Sequence, residues 1–221
     1  MGKINVMNDI LANKIAAGEV VERISSVVKE LTENSIDAGS KNIKIELIES
    51  GIRSIKIVDD GCGMSNSDAK LCFSRHATSK IKNENDLFFI NTLGFRGEAL
   101  AAISAVSEVT LDTFDGNESS LIVIEGGKFK SESVGSKRKG SVIEVKKLFY
   151  NTPARLKFLK SLNTELSSTT LIIERLSLSH PDISFTLIND NKELIKTSGS
   201  GNLYKTIHEI YGYSTSKICL K

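Results

Sequence analysis

The sequence predicts an α+β fold in which helices pack on a mostly antiparallel sheet. Two observations carry this. Short runs of alternating apolar and polar residues recur between turn-forming residues, and two longer segments, one early and one late, place their apolar residues at helical spacing.

Taken in order, Ile15 to Ser26 and Val27 to Ala38 have helix-compatible spacing, the second stopping at Gly39. Ile43, Ile45 and Leu47 alternate with Lys44 and Glu46, and Ile55 and Ile57 repeat the pattern after Glu49-Ser50-Gly51, which predicts a hairpin. From Met64 to about Asn91 the chain is polar and short of strand signal, and it is expected to be a mobile loop region. An Ala-rich helix is expected from Glu98 to about Val106. Strands follow at Val109 to Thr113, Leu121 to Glu125, Phe129 to Val134 and Val142 to Val145, punctuated by Asp115-Gly116-Asn117, Gly126-Gly127 and Gly135. Thr152-Pro153 opens a helix, with Thr as N-cap and Pro at the first helical position, and a longer helix spans Thr164 to Ser179. Ile183 to Ile188 and Leu194 to Thr197 flank the turn Asn189-Asp190-Asn191 as a last hairpin. Ser198-Gly199-Ser200-Gly201 has the composition of a short flexible connection, so residues 1–200 are expected to form one unit and 201–221 to begin a connection or a second domain.

With 40% hydrophobic and 25% charged residues, the 221-residue chain has an ordinary globular balance and can bury a sizeable core. No stretch approaches the roughly 18 apolar residues of a membrane span, and a cytoplasmic, membrane-independent protein is expected. The three cysteines, Cys62, Cys72 and Cys219, lack paired spacing, which argues against a disulfide framework or a zinc site. A net charge of +2 leaves a nucleic-acid partner open.

The chemistry concentrates in three places. In the helix Val27 to Gly39, each residue turns by about 100°, so Glu30, Asn34 and Asp37 fall on one line beside the core face centred near Leu31. That line faces either a cleft or solvent. Asp59-Asp60-Gly61-Cys62-Gly63-Met64 ends a strand with acids and two glycines, which suits close approach to a ligand and acceptance of a hydrogen bond from an exocyclic amine. The same residues also suit a tight turn or an acidic cation loop. Gly94-Phe95-Arg96-Gly97-Glu98 precedes a helix and offers either an anion site of free N–H groups or a hinge.

Together, Glu30-x-x-x-Asn34-x-x-Asp37-Ala38, Asp59-Asp60-Gly61-Cys62-Gly63 and Gly94-Phe95-Arg96-Gly97-Glu98-Ala99-Leu100 resemble the ATP-binding motifs of the GHKL superfamily. Ile15-Ala16-Ala17-Gly18-Glu19-Val20-Val21-Glu22-Arg23, Arg75-His76-Ala77-Thr78-Ser79-Lys80 and Phe149-Tyr150-Asn151-Thr152-Pro153-Ala154-Arg155 resemble the MutL family within it, whose members act in DNA mismatch repair. The resemblance is close from about Ile4 to Phe158. It implies a two-layer α/β sandwich of the Bergerat type, its sheet mixed but mostly antiparallel and covered by helices on one face.

It also implies a slow ATPase that binds ATP and magnesium. Glu30 would activate the attacking water, Asn34 would hold the magnesium ion, and Asp59 would read the adenine amino group. Gly61, Gly63, Met64 and Ser141 would complete that corner, with Asp37 and Ala38 in the pocket wall. Thr78, Ser79, Lys80, Leu93, Gly94, Phe95, Arg96, Gly97 and Glu98 would surround the phosphates under a lid running from about Leu71 to Arg96. The implied partners are DNA, a second copy of the chain in an ATP-dependent dimer, the mismatch-recognition protein MutS and a strand-nicking activity.

Asp60 stands where the family usually has Asn and is expected to add negative charge near the nucleotide. Ile24 replaces Pro, and Ser141 replaces Thr but keeps the hydroxyl. Family members continue into a second domain that contributes a phosphate-contacting lysine, and then into a C-terminal dimerisation domain, neither of which is expected within these 221 residues. Lys137-Arg138-Lys139, Lys146-Lys147 and Arg155-x-Lys157-x-x-Lys160 are candidate DNA contacts or simply solvated charges, with Arg155 the best single candidate. Two readings compete with the mismatch-repair ATPase: a topoisomerase-like ATPase domain, and a nucleotide-sensing interaction module without turnover.

Overall fold

A computed structural model describes residue 18, residues 21–81, 85–86, 92–94 and 97–218, with side chains described to 213. Eight strands form one sheet: β1 (Asn42–Ile48), β2 (Ser54–Asp59), β3 (Glu108–Phe114), β4 (Ser119–Glu125), β5 (Lys128–Ser133), β6 (Gly140–Lys146), β7 (Ser184–Asn189) and β8 (Lys192–Lys196). Their order is β5-β4-β3-β6-β2-β1-β7-β8. Every neighbouring pair is antiparallel except β1 with β7, where Asn42 to Leu47 run in register beside Ser184 to Asn189. The sheet is therefore mixed and mostly antiparallel.

The described helices are α1 (Ile24–Asp37), α2 (Asn66–Leu71), α3 (Ala99–Ala105), α4 (Pro153–Phe158), α5 (Leu162–Ser179) and α6 (Leu203–Ile218). Helices α1, α3 and α5 contact the sheet, and the core lies between the two layers. Strand alternation shows this directly: Ile43, Ile45 and Leu47 of β1 and Val109 and Leu111 of β3 are buried, while their neighbours point outward. The edge strand β5 is exposed along its whole length, and its lysines and a register shift beside Val123 and Ile124 blunt that edge.

Three local features differ from the expectation. Helix α1 starts at Ile24 rather than Val27, because Arg23 is extended (φ −156°, ψ 172°) and ends the preceding segment. Ile15 to Ala17, Glu19 and Val20 lie outside the described residues. The stretch after Met64 opens with helix α2, whose Ser65 hydroxyl accepts from the Asp68 N–H and shares a hydrogen bond with its carboxylate. Thr152 does not cap α4 with its side chain; its hydroxyl donates to the Phe149 carbonyl instead. After Lys196, Ser198 N–H donates to Glu209 and Gly201 N–H to the Pro181 carbonyl, while α6 packs on α5 and β8. A left-handed Gly212 (φ 82°) breaks α6 late in its course.

The first residues of α1 are tied to α5 by one ion pair. Arg23 Nη2 and Nε donate to the two Glu165 oxygens at 3.1 and 3.4 Å, and the Glu165 side chain is 1% exposed. Lys160 N–H also donates to Glu165. Removing one partner of a buried pair strands the other charge in a low-dielectric interior. Arg23→Ala is expected to lower unfolding stability by about 3 kcal/mol. Arg23→Met with Glu165→Leu is expected to recover most of it, as measured by urea denaturation.

Candidate nucleotide site

Helix α1 turns the line predicted from spacing toward a cavity of about 630 Å³. Ile24, Val27, Val28, Leu31 and Ser35 are buried against the sheet and α5, which leaves Glu30, Asn34 and Asp37 on the cavity wall. Ala38, Gly63, Met64, Thr78, Ser79, Lys80, Leu93, Gly94, Gly97 and Glu98 also line it, so α1 and three further stretches of chain meet there. Phe95 and Arg96 lie outside the described residues.

Lys80 reaches back across this space. Its Nζ donates to Asn34 Oδ1 at 3.0 Å and to Asp37 Oδ2 at 2.6 Å. The N–H groups of Leu93 and Gly94 also donate to the Asp37 carboxylate, at 3.0 and 3.2 Å. A lysine and two loop amides thus converge on one anionic group, the Asp37 carboxylate. Gly97 is left-handed (φ 62°), and any Cβ there would press on the Ala77 carbonyl oxygen at 2.5 Å.

Asp59, Gly61 and Ser141 stand one layer behind the wall. Asp59 ends β2 and is 5% exposed. Its Oδ1 accepts from Gly61 N–H (2.9 Å), Ser141 N–H (3.2 Å) and Ser40 Oγ (3.4 Å), and its Oδ2 from Ser35 Oγ (3.0 Å). Burial pushes the carboxyl above the ordinary aspartate value, outweighing the lowering effect of the Gly61, Ser35, Ser141 and Ser40 donors. A carboxylate has about four acceptor sites, two on each oxygen, so Oδ2 keeps capacity for a further donor.

Thr113, which sequence reasoning missed, joins this corner to the wall. Its Oγ1 accepts from Met64 N–H at 3.0 Å and shares a 2.9 Å hydrogen bond with Ser141 Oγ. Only the inward parity of Thr113 in a strand carries a signal for it. Gly140 (φ 94°) permits the approach of β6 to β2, since a Cβ there would overlap the Asp59 carbonyl oxygen.

Asp60, next to Asp59, points toward β1. Its carboxylate caps the start of β1, accepting from Lys41 N–H, Asn42 N–H and Asn42 Nδ2 at 2.7 to 2.9 Å. Partial burial opposes ionisation, but these donors prevail and hold the carboxyl below the ordinary value. Asp60 is not among the residues lining the cavity. Glu30 carries 28% side-chain exposure, with Lys29 Nζ 3.6 Å from its Oε1 and 2.7 Å from Glu33 Oε2. Burial works to lower the Lys29 value, yet Glu33 and Glu30 raise it on balance. Arg155, on α4, packs its guanidinium against Gly18 and buries Nη1.

Comparison with known proteins follows this geometry. Residues 22–147 match the model for the histidine kinase-, DNA gyrase B- and HSP90-like ATPases. The chain belongs to that ATPase family. Within the family it is similar to the DNA mismatch repair proteins MutL of Streptococcus agalactiae and Lactococcus lactis, each 56% identical over 98% of this chain and 33% of the relative. It therefore spans about a third of the length of the curated relatives it matches. The ADP complex of the Aquifex aeolicus MutL ATPase domain shares its fold, with a TM-score of 0.72 and 29% identity over 87% of this chain and 70% of that one. The N-terminal domain of a DNA repair protein superposes with a TM-score of 0.78 and 26% identity over 92% and 61%. The two-layer sandwich of the GHKL ATPases is thus the fold of this family member.

Two cysteines lie on the cavity wall in different settings. Cys62 is exposed, whereas burial, aided by Asp68, pushes the Cys72 thiol up to about 12. Because the thiolate is the reactive form, iodoacetamide at pH 8 is expected to alkylate Cys62 in the folded protein and spare Cys72 until denaturant is added. Peptide mapping by mass spectrometry reads both.

Proposed function

We propose that this domain binds ATP with magnesium and hydrolyses it slowly, as the ATPase unit of a MutL-type mismatch-repair protein working in the cytoplasm. The observation that carries the reading is the convergence of the α1 polar line, the Gly63-Met64 turn and the Lys80–Gly94 corner on one cavity. The ADP complex of the Aquifex relative supports a nucleotide as its occupant.

In this reading Asp59 accepts the adenine amino group through Oδ2, with Ser141 and the glycine turn shaping the same corner. Lys80 and the Leu93–Gly97 amides hold phosphate oxygens, for which they would exchange the Asp37 carboxylate. Glu30, beside Asn34 at the open side of α1, orients and deprotonates the attacking water. Five carboxylates (Glu30, Glu33, Asp37, Asp68 and Glu98) line the cavity with only two ammonium groups (Lys29 and Lys80) among the described residues. Such a wall disfavours a bare polyphosphate, which is the physical ground for magnesium dependence. Asn34 Oδ1 fits that ion: it is an uncharged oxygen ligand that already receives a cation, the Lys80 ammonium. When bound at Asn34, magnesium would supply positive charge against the phosphates.

Low turnover follows from a site that works by positioning and a single carboxylate. Ordering of the loops between Leu71 and Gly97 around ATP would couple binding to pairing of two copies, and through that pairing to DNA, MutS and strand nicking.

Magnesium-dependent ATP binding and phosphate release by wild type, Glu30→Ala and Asn34→Ala test the mechanism. Wild type is expected to bind and turn over slowly. Glu30→Ala is expected to bind normally but lose roughly 100-fold or more in turnover, and Asn34→Ala to lose the magnesium dependence of binding. A wild-type chain that binds ATP equally well with and without magnesium overturns the role given to Asn34.

A further inference from the structure

Of the three basic runs in the sequence, Lys137-Arg138-Lys139 contains a side chain that turns toward the cavity's backing. Arg138 Nη1 donates to the Asp59 carbonyl at 2.8 Å and to the Lys139 carbonyl at 3.3 Å, and Nη2 donates to the Ser141 carbonyl at 2.8 Å. These bonds lie just past the last β2–β6 ladder pair, Val58 with Val142. There left-handed Gly140 lets the backbone of β6 lie close against the Asp59 carbonyl. The planar fork of the guanidinium bridges the two carbonyls that the ladder leaves at this end.

The consequence reaches the Asp59 side chain. Its Oδ1 is held by the N–H of Ser141, whose carbonyl Arg138 grips, and the Asp59 backbone is gripped on its own carbonyl. Both ends of that hydrogen bond are therefore fixed by one arginine. The Ser141 hydroxyl, bonded to Thr113, is set by the same backbone. A polar group that must accept from one face of a purine loses discrimination when its direction wanders, because the mismatched base is no longer left with unpaired groups.

We propose that Arg138 is a positioning residue for base recognition: by clamping the ends of β2 and β6 it aims the Asp59 carboxylate and the Ser141 hydroxyl at the adenine edge. This rests on the reading of Asp59 given above. It assigns Arg138 to the nucleotide corner rather than to DNA.

The test compares ATP, GTP and inorganic tripolyphosphate binding, with magnesium, by wild type, Arg138→Ala and Arg138→Lys. In Arg138→Ala, ATP affinity is expected to fall roughly tenfold, the preference for ATP over GTP to narrow, and tripolyphosphate affinity to stay unchanged. Arg138→Lys keeps the charge but reaches one carbonyl, so it is expected to fall between the two. It also serves if the alanine variant does not fold. An Arg138→Ala protein that keeps the wild-type preference for ATP, or that loses tripolyphosphate in parallel with ATP, overturns the assignment, as does a lysine variant indistinguishable from wild type. A wild-type chain with no preference for ATP over GTP overturns the role of Asp59 itself, and the assignment with it.

Discussion

The buried carboxylate at the end of β2 is the junction on which the rest of the site depends. Asp59 is bonded to α1 through Ser35, to the following turn through Ser40, to β6 through Ser141 and to its own glycine loop through Gly61. A negative charge taken out of water must be met by donors, and here the donors come from four segments. Helix and sheet are thus locked together at the end of β2. The cost of that burial shows as a carboxyl raised above its ordinary value, so the native fold tolerates the ion less well than water does. Its own contribution to stability therefore shrinks as pH rises from the ordinary aspartate value through the raised one.

The opposite end of the cavity follows a different logic. Asp37 there collects Lys80 and two loop amides, and Asn34 shares the lysine. Anion-binding groups are kept in place by an anion that belongs to the protein. The same helix therefore carries Asp37, Asn34 and, one turn earlier, Glu30 along one wall of the cavity. Their order along α1 is set by helical geometry.

Much of this was legible in the residues. The Glu30, Asn34 and Asp37 line needed only a helical period, and the alternation in β1 to β4 and β6 to β8 needed only a period of two. Legibility failed where long-range contact decides the outcome. Asp60 looks like a site acid beside Asp59, yet it stands just past the end of β2 and turns to the Lys41 and Asn42 amides. Thr113 and Arg138 meet the corner only because β3 and β6 pair with the rest of the sheet. Their spacing in the chain holds no trace of that. Helix α2 was missed although Ser65 and Asp68 have capping spacing, since its six residues are too few for an amphipathic pattern.

The parallel pairing of β1 with β7 and the ion pair between Arg23 and Glu165 bind the first quarter of the chain to its last third, the ion pair across 142 positions. Contacts so remote must wait for loop closure, which slows folding. On a ribosome, the helix that carries Glu30 and Asn34 emerges long before its partners α5 and β7 are made. For that interval its apolar face has no core to cover it, and the nascent chain is open to chaperones at the segment that later lines the cavity.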